Sequence, residues 1–497
     1  MKHPGIHLVV SLFLTIAPFG PFVSASSAIE PTPELASETM SYASFVISPE
    51  GALYAWGDNT WSELGFDSDI NAATFTPQAV VFPAGVSGWT AVASSAHTLA
   101  IARNGQLFCW GDNSQGQLGL GDMVERGEPT ALLVPGVSGW IAVAAGGSHS
   151  MAVSSDGQLY VWGGGKFPLH TLPTLFPSPD GVTRWIAVAA GQNFGLASTD
   201  TGEIYGLGEN EGGQLGGGLE PSSFIPELVK TIRPAGVTKW KAMAAGGSHG
   251  LGIGDDNRLY AWGGNWFGQL GTSVPGNALS PVAVAAPNGV TGWRSVSAGQ
   301  GHSLAIATDG RLFAWGANYA GQLGVGTIDP PEVYQGPAPS STVTTPTLVV
   351  TPPSAGGWRA VAGGNLHSLA LGNDCRIYAW GNNGQGQLGF SNGGSSAVPI
   401  LVNGLPDLCN SDSDHDGVPD SRDQCPNTPA GAVVNADGCS IAELCPCAGP
   451  WRNHGEYVLS TIDRAREFQH DGLIDRGEAN AIIRDAANSD CGKKGPR

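Results

Sequence analysis

Between residues 40 and 408 the chain repeats one alternation of apolar and small positions. A tryptophan-headed run, such as Trp140-Ile-Ala-Val-Ala-Ala-Gly-Gly-Ser-His149-Ser, precedes Asp156-Gly157-Gln-Leu-Tyr-Val-Trp162-Gly163. The second half appears seven times, ending on Trp56, Trp110, Trp162, Trp262, Trp315 and Trp380, with Leu207 in the tryptophan place. The first half begins at Trp89, Trp140, Trp185, Trp240, Trp293 and Trp358. Asn104-Gly105, Asp156-Gly157 and Asp309-Gly310 interrupt the apolar runs and predict tight hairpins, since a primed turn needs positive φ. Steps of 45 to 65 residues with several short strands each predict propeller blades rather than solenoid coils. The unit from Met40 lacks a leading tryptophan strand, whereas the last unit runs on through Val398–Val402 to Leu408. A C-terminal strand near Leu408 is therefore expected to complete the blade begun near Met40 and remove the open sheet edges.

Composition agrees with this all-β reading. The chain has 74 glycines in 497 residues, about twice the usual share of roughly 7%, and each glycine inside a helix costs roughly 1 kcal/mol relative to alanine. The net charge of −19 excludes general nucleic-acid binding, which needs a basic footprint. Before residue 409 lie 65 of the glycines and −13 of the charge.

The motif Gly-Gly-x-His-Ser, then Asp-Gly-x-Leu-Tyr-x-Trp-Gly-x-Asn-x-x-Gly-Gln-Leu-Gly, as at 146–150 and 262–271, resembles the regulator of chromosome condensation repeat family. That resemblance, over 40–408, implies a seven-bladed β-propeller. It does not imply the eukaryotic member's nucleotide-exchange role on chromatin, because this chain is acidic and carries an export signal. Among exported bacterial proteins the fold resembles a propeller-type β-lactamase inhibitor, which binds its target through loops on one face.

Export is read from the N-terminus. Lys2, His3 and His7 precede an apolar run from Leu8 to Ala17, and Val23-Ser24-Ala25 offers the small residues of a cleavage site after Ala25. Residues 26–39 are expected to be a linker. The apolar run, broken by Pro18 and Pro21, is too short to span a bilayer, and no later run spans one. Six of the eight cysteines fall in the last 89 residues, as expected of disulfides in an oxidising compartment. The expected location is secreted, cell-surface or periplasmic in a bacterium.

Comparison between blades separates structural from variable positions. His97, His149, His249, His302 and His367 share one place, held by Ala43 and Phe194 in blades one and four. Such repetition favours a core hydrogen bond over a metal ring. Asn59, Asn113, Asn210, Asn265, Asn318 and Asn383 are expected to be turn residues tolerating positive φ. The positions after that Asn vary, and place Trp61, Phe167, Trp266, Phe267 and Tyr319 in equivalent loops on one face. Loop aromatics give large contact area at small entropic cost, so these are the candidate partner-binding residues. Blade three carries Pro168-Leu-His170-Thr-Leu-Pro173 in place of Gly-Gln-Leu-Gly, and blade six an insertion from Asp329 to Gly357, read as disordered or a binding loop. No nucleophile elbow, His-Glu-x-x-His or phosphate loop is present. Glu209 and Glu211, in the most divergent blade, are the best acidic candidates for catalysis.

From Asp412 the character changes. Asp412, Asp414, Asp416, Asp420 and Asp423 surround Gly417 at alternating positions, the pattern by which carboxylates converge on a hard cation, here calcium. Asp423, not Glu, falls at the twelfth position, so this is not a full EF-hand. The stretch 412–439 looks like a bacterial thrombospondin type 3 repeat, a resemblance that implies calcium binding by those five aspartates and pairing of Cys425 with Cys439. Residues 455–489 predict two helices, with Tyr457, Val458, Ile462, Ala465 and Phe468 on one stripe and Ala479, Ile482, Ile483 and Ala486 on another. So small a hairpin needs a staple, from Cys445 or Cys447 to Cys491, while Cys109 is expected to be buried and free.

The expected organisation is a signal peptide (1–25), a linker (26–39), a seven-bladed propeller (40–408), a calcium-binding segment (409–440) and a cystine-tied helical module (441–497). The expected function is non-catalytic, monomeric binding of an extracellular protein or cell-surface glycan. The alternatives are an extracellular enzyme acting on polysaccharide and a propeller-type inhibitor of an exported enzyme such as a β-lactamase.

Overall fold

The computed structural model describes residues 34–36, 41–66, 73–272, 276–330, 343–391, 394–406, 408, 424–425, 428, 432–435, 439–471, 473–491 and 493. It divides into two compact units, Met1–Leu408 and Cys409–Arg497.

The first unit contains seven four-stranded antiparallel sheets, each made from one continuous stretch of chain with its strands paired in chain order. Blade two shows the plan: Trp89–Ser94, His97–Ala102, Leu107–Gly111 and Arg126–Leu132. The first strand of every blade touches the first strand of both neighbours, all the way round, so these strands form the inner ring. Their sequences alternate alanine with larger residues, as in Trp140-Ile-Ala-Val-Ala-Ala, and small side chains let the strands converge. The next two strands are buried almost throughout, whereas the outer strand alternates exposed and half-buried residues. The hairpin glycines Gly105, Gly157 and Gly310 sit at φ 83°, 83° and 85°, but the Asn or Asp before each does not have positive φ, and each glycine amide donates three residues back. The hairpins therefore turn through a type I turn closed by a left-handed glycine and not through the expected primed turn.

Tryptophans fill the seams. Trp89 packs on Trp110 with centroids 6.1 Å apart, Trp140 on Trp162 at 6.5 Å, and Trp358 on Trp380 at 6.1 Å. Truncating a buried ring of this size costs about 3–5 kcal/mol. The indole N–H of the third-strand tryptophan donates to a main-chain carbonyl of the preceding blade. Trp110 reaches Glu63 at 2.7 Å, Trp162 reaches Gln117 at 2.8 Å, Trp262 reaches Gln214 at 2.9 Å, and Trp56 crosses the closing seam to Gln387 at 3.0 Å.

Two expectations are corrected. The first blade is completed not by chain near Leu408 but by Glu34–Ala36, which pairs antiparallel with Ala43–Ile47 and lies within the stretch read as linker. The last blade already has four strands of its own, ending in Ser396–Leu401, and no further strand follows it in the propeller among the described residues. The blade-six insertion is also partly regular: Thr347–Leu348 is that blade's outer strand, and the Val349 N–H donates to the Leu312 carbonyl at 2.9 Å.

In the second unit, helices α1 (Ile441–Leu444), α2 (His454–His470) and α3 (Arg476–Asn488) enclose a small core of Ala465, Phe468, Ile474 and Ala479. Ser440 and Glu443 form a capping box at α1, and Asp475 and Glu478 another at α3. Disulfides join Cys425 to Cys439 and Cys447 to Cys491, the latter tying the chain before α2 to the chain after α3. Cys445 is buried and free, as is Cys109 in its blade strand, and Cys375 is disulfide-bonded.

Candidate binding face

Antiparallel order places the loops joining first to second strands and third to outer strands on one face of the ring. The second kind of loop carries the variable aromatics, and its framework repeats. Asn59, Asn113, Asn210, Asn265, Asn318 and Asn383 each accept the amide of the leucine five residues on, at 3.0–3.2 Å. These asparagines therefore hold the loop through their side chains. Positive φ, expected at the asparagines, falls instead on the glycine three residues later, as at Gly116 (72°) and Gly268 (76°). A glutamine after that glycine folds back to accept the amide two residues earlier: Gln115 to Gln117, Phe267 to Gln269 and Gln385 to Gln387, at 2.8–2.9 Å.

On this scaffold Trp61, Trp266 and Tyr319 project, with 47%, 45% and 39% of their surfaces exposed. These are large values for aromatic rings in a molecule that buries its repeated tryptophans almost completely. Phe267 is half-buried against Gly301, where an added Cβ would come within 2.8 Å of its ring. Phe167 departs from the expected surface set. It is buried, stacked on His149 at 4.2 Å and edge-on to Phe224 at 5.5 Å. The reason is local: blade three has no Gln-Leu-Gly turn and blade four no tryptophan, so Phe167 and Leu207 together fill that seam.

The same face is acidic. Asp58, Asp112, Asp122, Glu125, Glu209 and Glu211 lie on these loops. Lys166 stands 3.1 Å from Glu209 and 3.4 Å from Glu211, and Glu209 also accepts from Asn193 at 2.8 Å. These contacts hold the two acids around one lysine as a loop lock with one negative charge in excess.

The five repeated histidines are buried seam residues. His97 meets Ser150 of the next blade at 2.8 Å, His249 meets Ser303 at 2.9 Å, His302 meets Ser368 at 3.0 Å, and His367 meets Ser44 across the closing seam at 2.9 Å. Each serine spends its only proton on a carbonyl, as Ser150 does on Gln117 at 2.7 Å. The histidine must then donate through Nε2–H, which fixes the tautomer. Burial pulls these imidazoles down to about 3. His149 is the exception, with no hydrogen-bond partner for Nε2 among the described residues, because its seam partner is Gly195 rather than serine.

The loop of blade one holds two residues that the aromatic pattern alone does not single out. Ser62 takes the glycine place at φ 58°, and Glu63 takes the glutamine place with 2% of its surface exposed. Both are visible when the loops are aligned within the chain, as departures from Gly-Gln. The candidate calcium ligands Asp412, Asp414, Asp416, Asp420 and Asp423, and the expected signal peptide, lie outside the described residues. No cluster of metal-binding side chains occurs among the described residues.

Residues 50–101, 104–153, 201–253, 256–306, 309–371 and 374–411 match the regulator of chromosome condensation (RCC1) repeat, and 402–431 match the thrombospondin type 3 repeat. The Arabidopsis thaliana ultraviolet-B receptor UVR8 is 30% identical over 354 residues, covering 71% of this chain and 66% of the receptor. The human E3 ubiquitin-protein ligase HERC2 is 27% identical over 365 residues, which cover 73% of this chain but only 6% of the ligase. Among solved structures, Prp20p from Saccharomyces cerevisiae, described with its binding to Gsp1p and histones, superposes with a TM-score of 0.61 at 24% identity, covering 71% of this chain and 86% of that one. Human WBSCR16 gives 0.60 at 20% identity, covering 72% and 96%. These two likenesses speak to the fold.

Proposed function

The chain belongs to the regulator of chromosome condensation (RCC1) repeat family, and from that premise we propose that it is a non-catalytic binding propeller acting outside the cell. Its partner is an extracellular or cell-surface protein, held on the face that displays Trp61, Trp266 and Tyr319. The carrying observation is the exposure of those three rings on equivalent loops of one face, in a fold that buries its repeated tryptophans. Carboxylates beside them favour a partner patch bearing lysine or arginine, which can stack on indole faces and pair with acids. An inhibitor of an exported enzyme is a special case of this reading. Export is supported by the two disulfides of the second unit, a feature of oxidising compartments. The thrombospondin type 3 match supports a calcium site at Asp412, Asp414, Asp416, Asp420 and Asp423, whose all-oxygen donor set fits that ion.

The test is capture from the native extracellular fraction with wild type and with Trp61→Ala plus Trp266→Ala. A partner bound by the wild type and lost by the double variant supports the face. An enzyme with acids elsewhere would keep its turnover and its partner in the double variant, and that result would sink the proposal.

A further inference from the structure

We propose that Glu63 is a proton-sensitive positioning residue for Trp61: protonated, it stands in for the glutamine of the other loops; ionised, it repels Asp58 and loosens the loop. The proposal deepens the binding-face reading, because Trp61 is the side chain positioned.

The geometry comes from comparing the loops. Gln117 accepts the Gln115 amide through Oε1 and donates through Nε2 to Asp112 at 2.7 Å. Gln387 likewise accepts from Gln385 and donates to Asn382 at 3.1 Å. In blade six the facing position is Ala317, and the Gln322 Nε2 has no partner among the described residues. In blades two and seven the residue five before the glutamine is thus the acceptor of its amide, whereas in blade four Glu209 holds that place but is engaged with Lys166 and Asn193. In blade one Asp58 occupies the acceptor place and Glu63 the glutamine place. Glu63 Oε2 accepts the Trp61 amide at 2.8 Å, as glutamine would. Only a carboxylic acid can supply the remaining donor toward Asp58; two carboxylates there would meet as like charges.

The surroundings favour the acid. Glu63 is buried, and burial first, then Asp58, then Glu125 push its carboxyl up to about 8. Glu125 belongs to the blade-two loop and accepts from Ser62 at 2.6 Å. Tyr42, on the adjoining inner loop, has its phenol raised by burial and by Asp58, and its carbonyl accepts the Asp58 amide at 3.1 Å. From blade two, Thr98 and Trp110 donate to the Glu63 carbonyl, His97 is engaged with Ser150, and Arg126 is engaged with Asp122. No cation among the described residues is ion-paired to Glu63. The neighbouring Ser62, held at positive φ without being glycine, adds local strain of the kind that gathers at working loops.

The experiment labels the full-length protein with 5-fluorotryptophan, assigns Trp61 by Trp61→Phe, and follows its fluorine resonance from pH 6 to 9.5. The wild-type signal should shift with a midpoint near 8. Glu63→Gln, which installs the residue used in the other loops, should fold and show a flat Trp61 signal at the low-pH position. Asp58→Asn should move the midpoint to lower pH. A Trp61 signal that is flat in the wild type, or that titrates equally in Glu63→Gln, overturns the proposal. Partner capture at pH 7 and pH 9 is read separately: loss of binding in Trp61→Ala tests the face, whereas the fluorine titration stands or falls without any partner.

Discussion

A fully buried imidazole that gives one nitrogen to a serine cannot accept a proton cheaply. His97, His249, His302 and His367 are in that position, with Nε2 on a serine of the adjoining blade. Their folded values near 3 lie below the unfolded value of 6.5, so the folded state binds fewer protons. The stability they contribute is complete above pH 6.5 and falls as the pH drops from there toward 3, by about 1.4 kcal/mol per unit for each histidine. Glu63 has the opposite sign, since its folded value is raised from 4.5 to about 8. It destabilises progressively as the pH rises through that window, and Glu63→Gln removes this slope. The melting temperature should therefore peak near neutrality, with a steep acid limb, and thermal scans from pH 4 to 9 check both limbs. The histidine role was legible in the sequence, because five copies of one residue at one place mark a building requirement. The Ser150-type partner was not, because it lies in the next blade, and only the three-dimensional seam joins them.

At the scale of elements, the seams carry the same residues in different doses. Six of the seven third strands carry, one residue before their terminal glycine, a tryptophan whose indole reaches back one blade. The joint between blades three and four has neither that indole nor the histidine–serine bond; Leu207, Gly195 and Phe167 replace them with apolar packing. Its strength should rest on Phe167. We expect Phe167→Ala to cost about 3–5 kcal/mol, and Trp61→Ala, at an exposed ring, less than about 1 kcal/mol; urea midpoints compare the two. The sequence placed both rings in equivalent loops and could not separate them. Separation depends on what the neighbouring blade lacks. Strand positions and hairpins were readable because glycine turns and period-two alternation are local properties. Completion of blade one was not, because Glu34–Ala36 is a short strand without the tryptophan that heads its counterparts.

For the whole molecule, the two units call for different experiments. With the full chain, calcium should bind with about one ion per molecule if the five aspartates share one centre, and Asp412→Asn plus Asp416→Asn should abolish the isotherm. Titration calorimetry reads this directly, and an unchanged isotherm would remove the calcium assignment. Reduction of the second unit, by Cys447→Ser plus Cys491→Ser, should lower the stability of its helices by about 2–4 kcal/mol while the blades keep their transition. Strand Glu34–Ala36 carries one more implication. A propeller that borrows its last strand from the far end of the chain cannot finish its first blade until synthesis ends. Here every blade is whole once its own stretch has emerged. During synthesis the ring can thus be assembled blade by blade, as beads are threaded, with blade seven settling last against blade one. That final joint is clasped by the Trp56–Gln387, Ser44–His367 and Asn365–Ser41 contacts instead of a shared sheet. A pull on the two ends of the propeller would be resisted there by side-chain and loop bonds and by the packing of Trp56 and Val46 on blade seven, making it a ring fastened like a clasp and not like a knot.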